Sequence, residues 1–171
     1  VYAAMERYEE ASASVRAAVD LNSGDGEAQA LLGQLELAVG RYAEGMQALA
    51  ATVEAQPDSF RPALDLALAH LGIEGILTQH LRPGVSSHAI AGMIDWDRLE
   101  DQPLSAADEQ VVANAVEAAP DRASARVLRI ILATNHVREA TAHRQAGDLA
   151  AAIDAYRAAM VMEPLAVAPR H

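Results

Sequence analysis

The stretch that decides the fold runs from Glu27 to Pro57 and reads EAQALLGQLELAVGRYAEGMQALAATVEAQP. Its two halves are rich in Ala and Leu, which favour helices, and Gly40 separates them. A glycine at this place allows the left-handed backbone that ends a helix, and Pro57 stops the helix that follows. The stretch therefore predicts two antiparallel helices joined by a tight turn.

The same pattern recurs along the chain. Three segments align without gaps, and each is followed by a helical run and a polar or proline stop: Arg7–Ala11, Arg41–Gly45 and Asp148–Ala152. Tyr8 and Tyr42 are 34 residues apart, which is the period of a helix-turn-helix repeat. Because no single repeat buries its apolar face alone, we expect neighbouring repeats to stack.

These residues resemble the tetratricopeptide repeat family. The second segment supplies Leu32-Gly33, the turn at Gly40 and Tyr42, and it departs from the family pattern at Glu36 and Gly45, where an aromatic residue and Ala are usual. The last segment matches over its second helix, and its matching positions are Ala140, Gly147, Ala152, Tyr156, Ala159 and Pro164. The resemblance implies an all-α fold, a right-handed α-solenoid of antiparallel helix pairs that is irregular in the middle.

The resemblance covers residues 1–171 as a single helical repeat domain. The repeats are regular over 1–72 and 122–165, and degenerate helix pairs are expected over 73–121. Helices are expected over Phe60–Leu71, Ile73–Leu81, from Ser86 or Ser87 to Ile94, over Ser105–Ala119 and, unusually long, over Arg122–Gln145. Val1 falls within a first helix of a repeat and Val167–His171 would begin another, so a fragment of a longer chain is expected.

Composition narrows the classes of partner. The net charge is −11 and no Lys is present, which argues against nucleic acid and favours a basic or amphipathic protein or peptide. An acidic surface kept for solubility explains the charge equally well. No apolar run is long enough to span a membrane, so no direct membrane insertion is expected. The Arg-only, Ala-rich composition suggests a bacterial genome but leaves cytoplasm and periplasm open.

Residues suited to chemistry are few. The sequence contains no phosphate-binding, nucleophile-elbow or zinc-protease motif. We therefore expect that the chain is not an enzyme and needs no cofactor. His136, Glu139 and His143 share one helix face and could bind a metal ion, although a half-exposed Glu–His hydrogen bond explains them as well. The stretch from His80 to Asp101, with Trp96 as an apolar wall, could form a ligand pocket or simply a polar loop with a packed Trp.

The favoured function is a scaffold for complex assembly that binds a peptide or helix of a partner in its concave groove. The alternative is the substrate-recruiting repeat region of a larger enzyme, such as a glycosyltransferase, sulfotransferase or hydroxylase. In the resembling repeats, ligands contact fixed positions of each first helix, and these correspond here to Glu27, Gln34, Leu37, Arg61, Leu64, Leu68, Leu71, Thr141 and Arg144. The leucines among them would form an apolar strip, unless the middle of the chain covers them as ordinary core.

Overall fold

The computed structural model describes residues 2–71, 104–121 and 125–163. Within these ranges all regular structure is helical and no strand occurs. The helices, numbered in order over these ranges, are α1 (Tyr2–Leu21), α2 (Gly26–Ala38), α3 (Tyr42–Ala55), α4 (Phe60–His70), α5 (Ala106–Glu117), α6 (Arg126–Gln145) and α7 (Leu149–Met162). The predicted all-α class is confirmed.

The chain divides into two compact units. The first contains α1 to α4, in which each helix packs against the next and α4 also touches α2. The second contains α6, α7 and all of α5 except its last residue, and α6 packs against α7 along its length. None of the described helices combines the length and hydropathy that a bilayer crossing requires.

The crossing of α2 and α3 depends on two glycines that face each other. A Cβ at Gly33 would lie 2.8 Å from Leu49 Cγ and 3.0 Å from the carbonyl oxygen of Gly45. A Cβ at Gly45 would lie 2.6 Å from Leu37 Cγ and 2.9 Å from the carbonyl oxygen of Gly33. Position 45 therefore has Gly, where tetratricopeptide repeats usually have Ala, because the two helix backbones approach too closely for a methyl group.

The turns that close α2 and α6 have the same geometry. Gly40 and Gly147 have φ of 83° and 82°, and they are the positive-φ residues of the described chain. After α2, the amide of Gly40 donates to Leu37 O (3.1 Å) and the amide of Arg41 donates to Glu36 O (2.8 Å). These two hydrogen bonds form a Schellman motif, and Gly147 repeats it after α6. The predicted left-handed glycines are confirmed.

Helix α1 runs without interruption from Tyr2 to Leu21. No turn therefore precedes Tyr8, in contrast to Tyr42, which follows the turn at Gly40. Glu6 occupies the place that corresponds to Gly40, 34 residues later. Glutamate favours a helix and disfavours positive φ, so the helix continues. The alignment of Arg7–Ala11 with Arg41–Gly45 therefore does not extend to a preceding turn.

Other helix limits agree with the sequence to within a few residues. Helix α5 begins after Ser105, whose Oγ accepts a hydrogen bond from the amide of Asp108 (3.1 Å). Helix α6 ends at Gln145 as expected, but it begins at Arg126 and not at Arg122, and its 20 residues still make it long. Several expected features lie outside the described residues. They are the helices over 73–81 and 86–94, the polar stretch around Trp96, and Pro164. The single domain over 1–171 and the regularity of its repeats stay predictions.

Candidate functional site

Two of the predicted groove residues meet around one carboxylate that the sequence had not singled out. Asp65 lies on α4 with its side chain 4% exposed. Gln34, on α2, donates a hydrogen bond from Nε2 to Asp65 Oδ2 over 2.6 Å. Arg61, one turn earlier on α4, places its Nε 3.6 Å from the same oxygen. The structure thus connects Gln34 and Arg61 through Asp65, and the three residues are called the Asp65 cluster below.

The Asp65 carboxyl is held in an environment that disfavours its charge. Burial raises its pKa, and the hydrogen bond from Gln34 and the charge of Arg61 oppose that rise only in part, so the pKa is about 6. The ordinary value for Asp is 3.8. A carboxyl with such a pKa is ionised at neutral pH only at a cost in folding free energy.

The leucines of the predicted strip have different exposures. Leu37 is 5% exposed, Leu68 2% and Leu71 8%, so these three belong to the core of the first unit. Leu64 is half-buried. Little of the expected apolar strip is therefore open to a partner. Of its four leucines, Leu64 is the one with a partly exposed side chain.

The remaining groove residues are divided between the two units. Glu27 is exposed on the first turn of α2. Thr141 is half-buried and donates its hydroxyl to the carbonyl of Val137 over 2.9 Å, and Arg144 is exposed near the end of α6. Thr141 and Arg144 belong to the second unit, whereas Glu27 and the Asp65 cluster belong to the first.

Glu36, the second departure from the pattern of tetratricopeptide repeats, is a buried carboxylate held by two side chains of α1 and one from the turn before α3. It accepts hydrogen bonds from Ser12 Oγ over 2.6 Å and from the guanidinium groups of Arg16 and Arg41. Burial acts to raise its pKa, but the hydrogen bonds from Arg41, Ser12 and Arg16 outweigh that effect and lower the pKa to about 2. Glu36 is thus the polar anchor that ties α1 to α2, in the place of an aromatic side chain.

Beside this anchor, α1 and the start of α3 border an open pocket of about 540 Å³. Its lining residues are Glu9, Ser12, Ala13, Arg16, Ala17, Asp20 and Arg41. The lining carries two arginines and two carboxylates, and the arginines already donate to Glu36. The pocket therefore selects neither an anion nor a cation by its charge.

The predicted metal candidates are brought together only in part. His136 Nδ1 lies 3.3 Å from Glu139 Oε2, as the shared helix face predicts. His136 Nε2 lies 3.7 Å from Oε1 of Glu109, which comes from α5. His143 is exposed. Among the described residues, the group of possible metal ligands consists of Glu109, His136 and Glu139, so Glu109 takes the place that His143 was expected to fill.

Sequence reasoning missed Asp65, Glu109 and Asn135, which is the buried neighbour of His136. A signal existed for two of them. Asp65 interrupts the apolar run from Pro62 to Leu68, and Asn135 is the middle one of three polar residues between Ala133 and Val137. A polar residue inside an apolar helical run is either exposed or satisfied by a partner from another helix. Glu109 carried no such signal, because its role depends on the packing of α5 near α6.

No protein-family model matches the chain, and a search of curated proteins found no significant match.

Proposed function

We propose that the chain is a protein-binding scaffold of the tetratricopeptide repeat kind, a right-handed α-solenoid of antiparallel helix pairs. The observation that supports it is the arrangement of α2, α3 and α4. The first two cross at the facing glycines Gly33 and Gly45, and α4 then packs against α3 and returns to touch α2. A helix pair followed by a helix that returns beside the first is the stacking unit of an α-solenoid.

The partner proposed is a basic, amphipathic segment of another protein. The surface shared by α2 and α4 offers the exposed carboxylate of Glu27, the half-buried Leu64 and the Asp65 cluster. The chain as a whole carries a net charge of −11. A cationic, partly apolar segment complements such a surface in both respects.

Peptide display provides the test because it needs no known partner. Random peptides of about 15 residues, long enough for about four helical turns, are selected on the full chain. Selected peptides are synthesised, and their Kd values are measured by fluorescence anisotropy. We expect basic, amphipathic sequences whose affinity falls about tenfold with Glu27→Arg and rises with Arg61→Glu, since the two changes alter the charge of the face in opposite directions.

The matched control is Glu54→Arg. Glu54 is exposed on α3, so the substitution makes the same change of charge on a helix that supplies none of the residues of the proposed face. Circular dichroism and melting temperature verify that each variant is folded. Equal loss of affinity with Glu27→Arg and Glu54→Arg would mean that only net charge matters, and selection of acidic or uncharged peptides would contradict the proposed partner.

A further inference from the structure

Three side chains that bind metal ions in other proteins converge between α5 and α6. Glu109 lies one turn into α5, and His136 and Glu139 lie in the middle of α6. One donor atom of each residue lies within 4.8 Å of a donor atom of the other two. All three side chains are half-buried, so solvent and small ions reach them.

Buried Asn135 orients the two carboxylates. Its Nδ2 donates to Glu109 Oε2 over 2.9 Å and to Glu139 Oε1 over 3.4 Å. Its Oδ1 accepts from the backbone amide of Leu104 over 3.1 Å and from Arg138 Nη2 over 2.5 Å. The amide is thereby satisfied on both sides, and it directs the remaining oxygens, Glu109 Oε1 and Glu139 Oε2, towards His136. Side chains that hold ligands in this way are a regular part of metal sites.

We propose that Glu109, His136 and Glu139 bind a divalent transition-metal ion, best matched by Zn²⁺, which joins α5 to α6. The set supplies one imidazole nitrogen and two carboxylate oxygens, a combination that zinc accepts with water in the fourth position. Tetrahedral ligands at about 2.1 Å from zinc lie about 3.4 Å from one another. One donor atom of each residue lies within 4.8 Å of the others. The separations of 3.3 Å and 3.7 Å belong to different ring nitrogens of His136, of which an ion takes one, so a carboxylate side chain must rotate for all three residues to reach the ion.

The charges of the set agree with a divalent ion. Two carboxylates and a neutral imidazole supply two negative charges, which a divalent cation balances. Without an ion, His136 lies between Glu139 at Nδ1 and Glu109 at Nε2 and can donate to one of them in either neutral tautomer. The competing interpretation is therefore a hydrogen-bonded cluster with no affinity for metal, and direct measurement separates the two.

The test uses the full chain after dialysis against a chelator. Isothermal titration with Zn²⁺ at pH 7.5 is expected to give one site per chain, and saturating Zn²⁺ is expected to raise the melting temperature by about 5 °C. Mg²⁺ at the same concentration is expected to leave the melting temperature unchanged, because it prefers an all-oxygen octahedral site.

Two variants and one control make the assignment specific. Glu109→Gln keeps an oxygen for the hydrogen bond from Asn135 but removes the anionic ligand, and His136→Gln removes the imidazole. We expect each to weaken zinc binding at least tenfold. His143→Ala removes an exposed histidine of the same helix and is expected to bind zinc as the unchanged chain does.

Replacement of zinc by Co²⁺ gives a readout that a purely structural role would not produce. Binding at the proposed site is expected to produce visible d–d absorption that is lost in His136→Gln and retained in His143→Ala. Three results would overturn the proposal: no zinc binding by the full chain, an undiminished zinc response in Glu109→Gln, or loss of binding in His143→Ala.

Discussion

Helices α2 and α3 can cross closely because Gly33 and Gly45 have a hydrogen atom where any other residue has a Cβ. Each glycine lies below the backbone carbonyl of the other, at distances where a Cβ would meet a carbonyl oxygen at 2.9 Å or 3.0 Å. Besides the side chains of Leu49 and Leu37, each Cβ would meet a backbone carbonyl oxygen, so rotation of a side chain alone cannot relieve the contact. Relief requires the two helices to separate, which would also disturb the packing of Leu37 and Leu49.

Gly45→Ala is expected to lower the free energy of unfolding by about 1–2 kcal/mol. Overpacking at such a crossing costs about 1–3 kcal/mol, and the better helix propensity of Ala returns up to about 1 kcal/mol. Urea denaturation measures the difference. The control is Gly24→Ala, since a Cβ there would meet only Asn22 Oδ1, at 3.6 Å. Equal midpoints for Gly45→Ala and the unchanged chain would show that α2 and α3 are farther apart.

Asp65→Asn is expected to stabilise the protein at neutral pH. The carboxyl has a folded pKa of about 6 and an ordinary value of 3.8, so its contribution to stability is fully present below pH 3.8 and is lost as pH rises through 6. Asparagine carries no charge at any of these pH values and can still accept the hydrogen bond from Gln34. The gap in melting temperature between variant and unchanged chain should therefore open between pH 4 and pH 7.

The pH profile itself distinguishes this explanation from simple repacking. A gap of constant size from pH 4 to pH 7 would show that the carboxylate charge is not responsible. A lower melting temperature for Asp65→Asn at pH 7 would show that the ion pair with Arg61 outweighs the cost of burying the charge.

Among the elements, α2 and α7 start in the same way although they lie in different units. Asp25 accepts a hydrogen bond from the amide of Ala28 over 3.0 Å, and Asp148 accepts one from the amide of Ala151 over 3.1 Å. Each aspartate satisfies an amide that has no partner within its helix and places negative charge at the positive end of the helix dipole. Helix α3 has Arg41 at its N-cap and no side-chain cap, because a guanidinium group has no acceptor for the first amides of the helix; it donates to Glu36.

Asp148→Ala is expected to cost about 1 kcal/mol through loss of the cap of α7. Asp154→Ala is the matched control on the same helix. Its carboxylate is 76% exposed and its contact with Arg157 is 3.3 Å, and exposed pairs of this kind contribute a few tenths of a kcal/mol at most. Thermal unfolding that ranks Asp154→Ala as the more destabilising change would refute the role of the cap.

At the scale of the whole molecule, the acidic charge governs how a partner would associate. With a net charge of −11, the chain attracts a basic segment at long range, and salt screens that attraction over about 8 Å at physiological ionic strength. The association rate of a selected basic peptide is expected to fall about tenfold between 50 mM and 500 mM salt, while its dissociation rate changes less. Stopped-flow fluorescence measures both rates. An association rate that does not depend on salt would contradict electrostatic attraction.

The sequence predicts the helix turns well and the polar clusters poorly, for a physical reason. Gly40 and Gly147 act through their own backbone conformation, so their effect is visible in the local sequence. Glu109 acts only because α5 packs near α6, and no spacing along the chain encodes that distance. At the beginning of the chain, Arg7–Ala11 aligns with the start of α3, but Glu6 stands where α2 is followed by Gly40, and the helix is continuous. Similarity in one half of a repeat therefore overestimates how far the repeat extends.

The two Schellman turns have a consequence for the order in which the chain acquires its structure. Each joins its helices through the short link between Ala38 and Tyr42 or between Gln145 and Leu149, so each helical hairpin closes with little loss of loop entropy. Contacts between residues close in sequence form early and fast. Each hairpin can therefore serve as its own nucleus, with α1 and α4 adding to the first. During synthesis, the hairpin of α2 and α3 would be complete before the ribosome reaches α6.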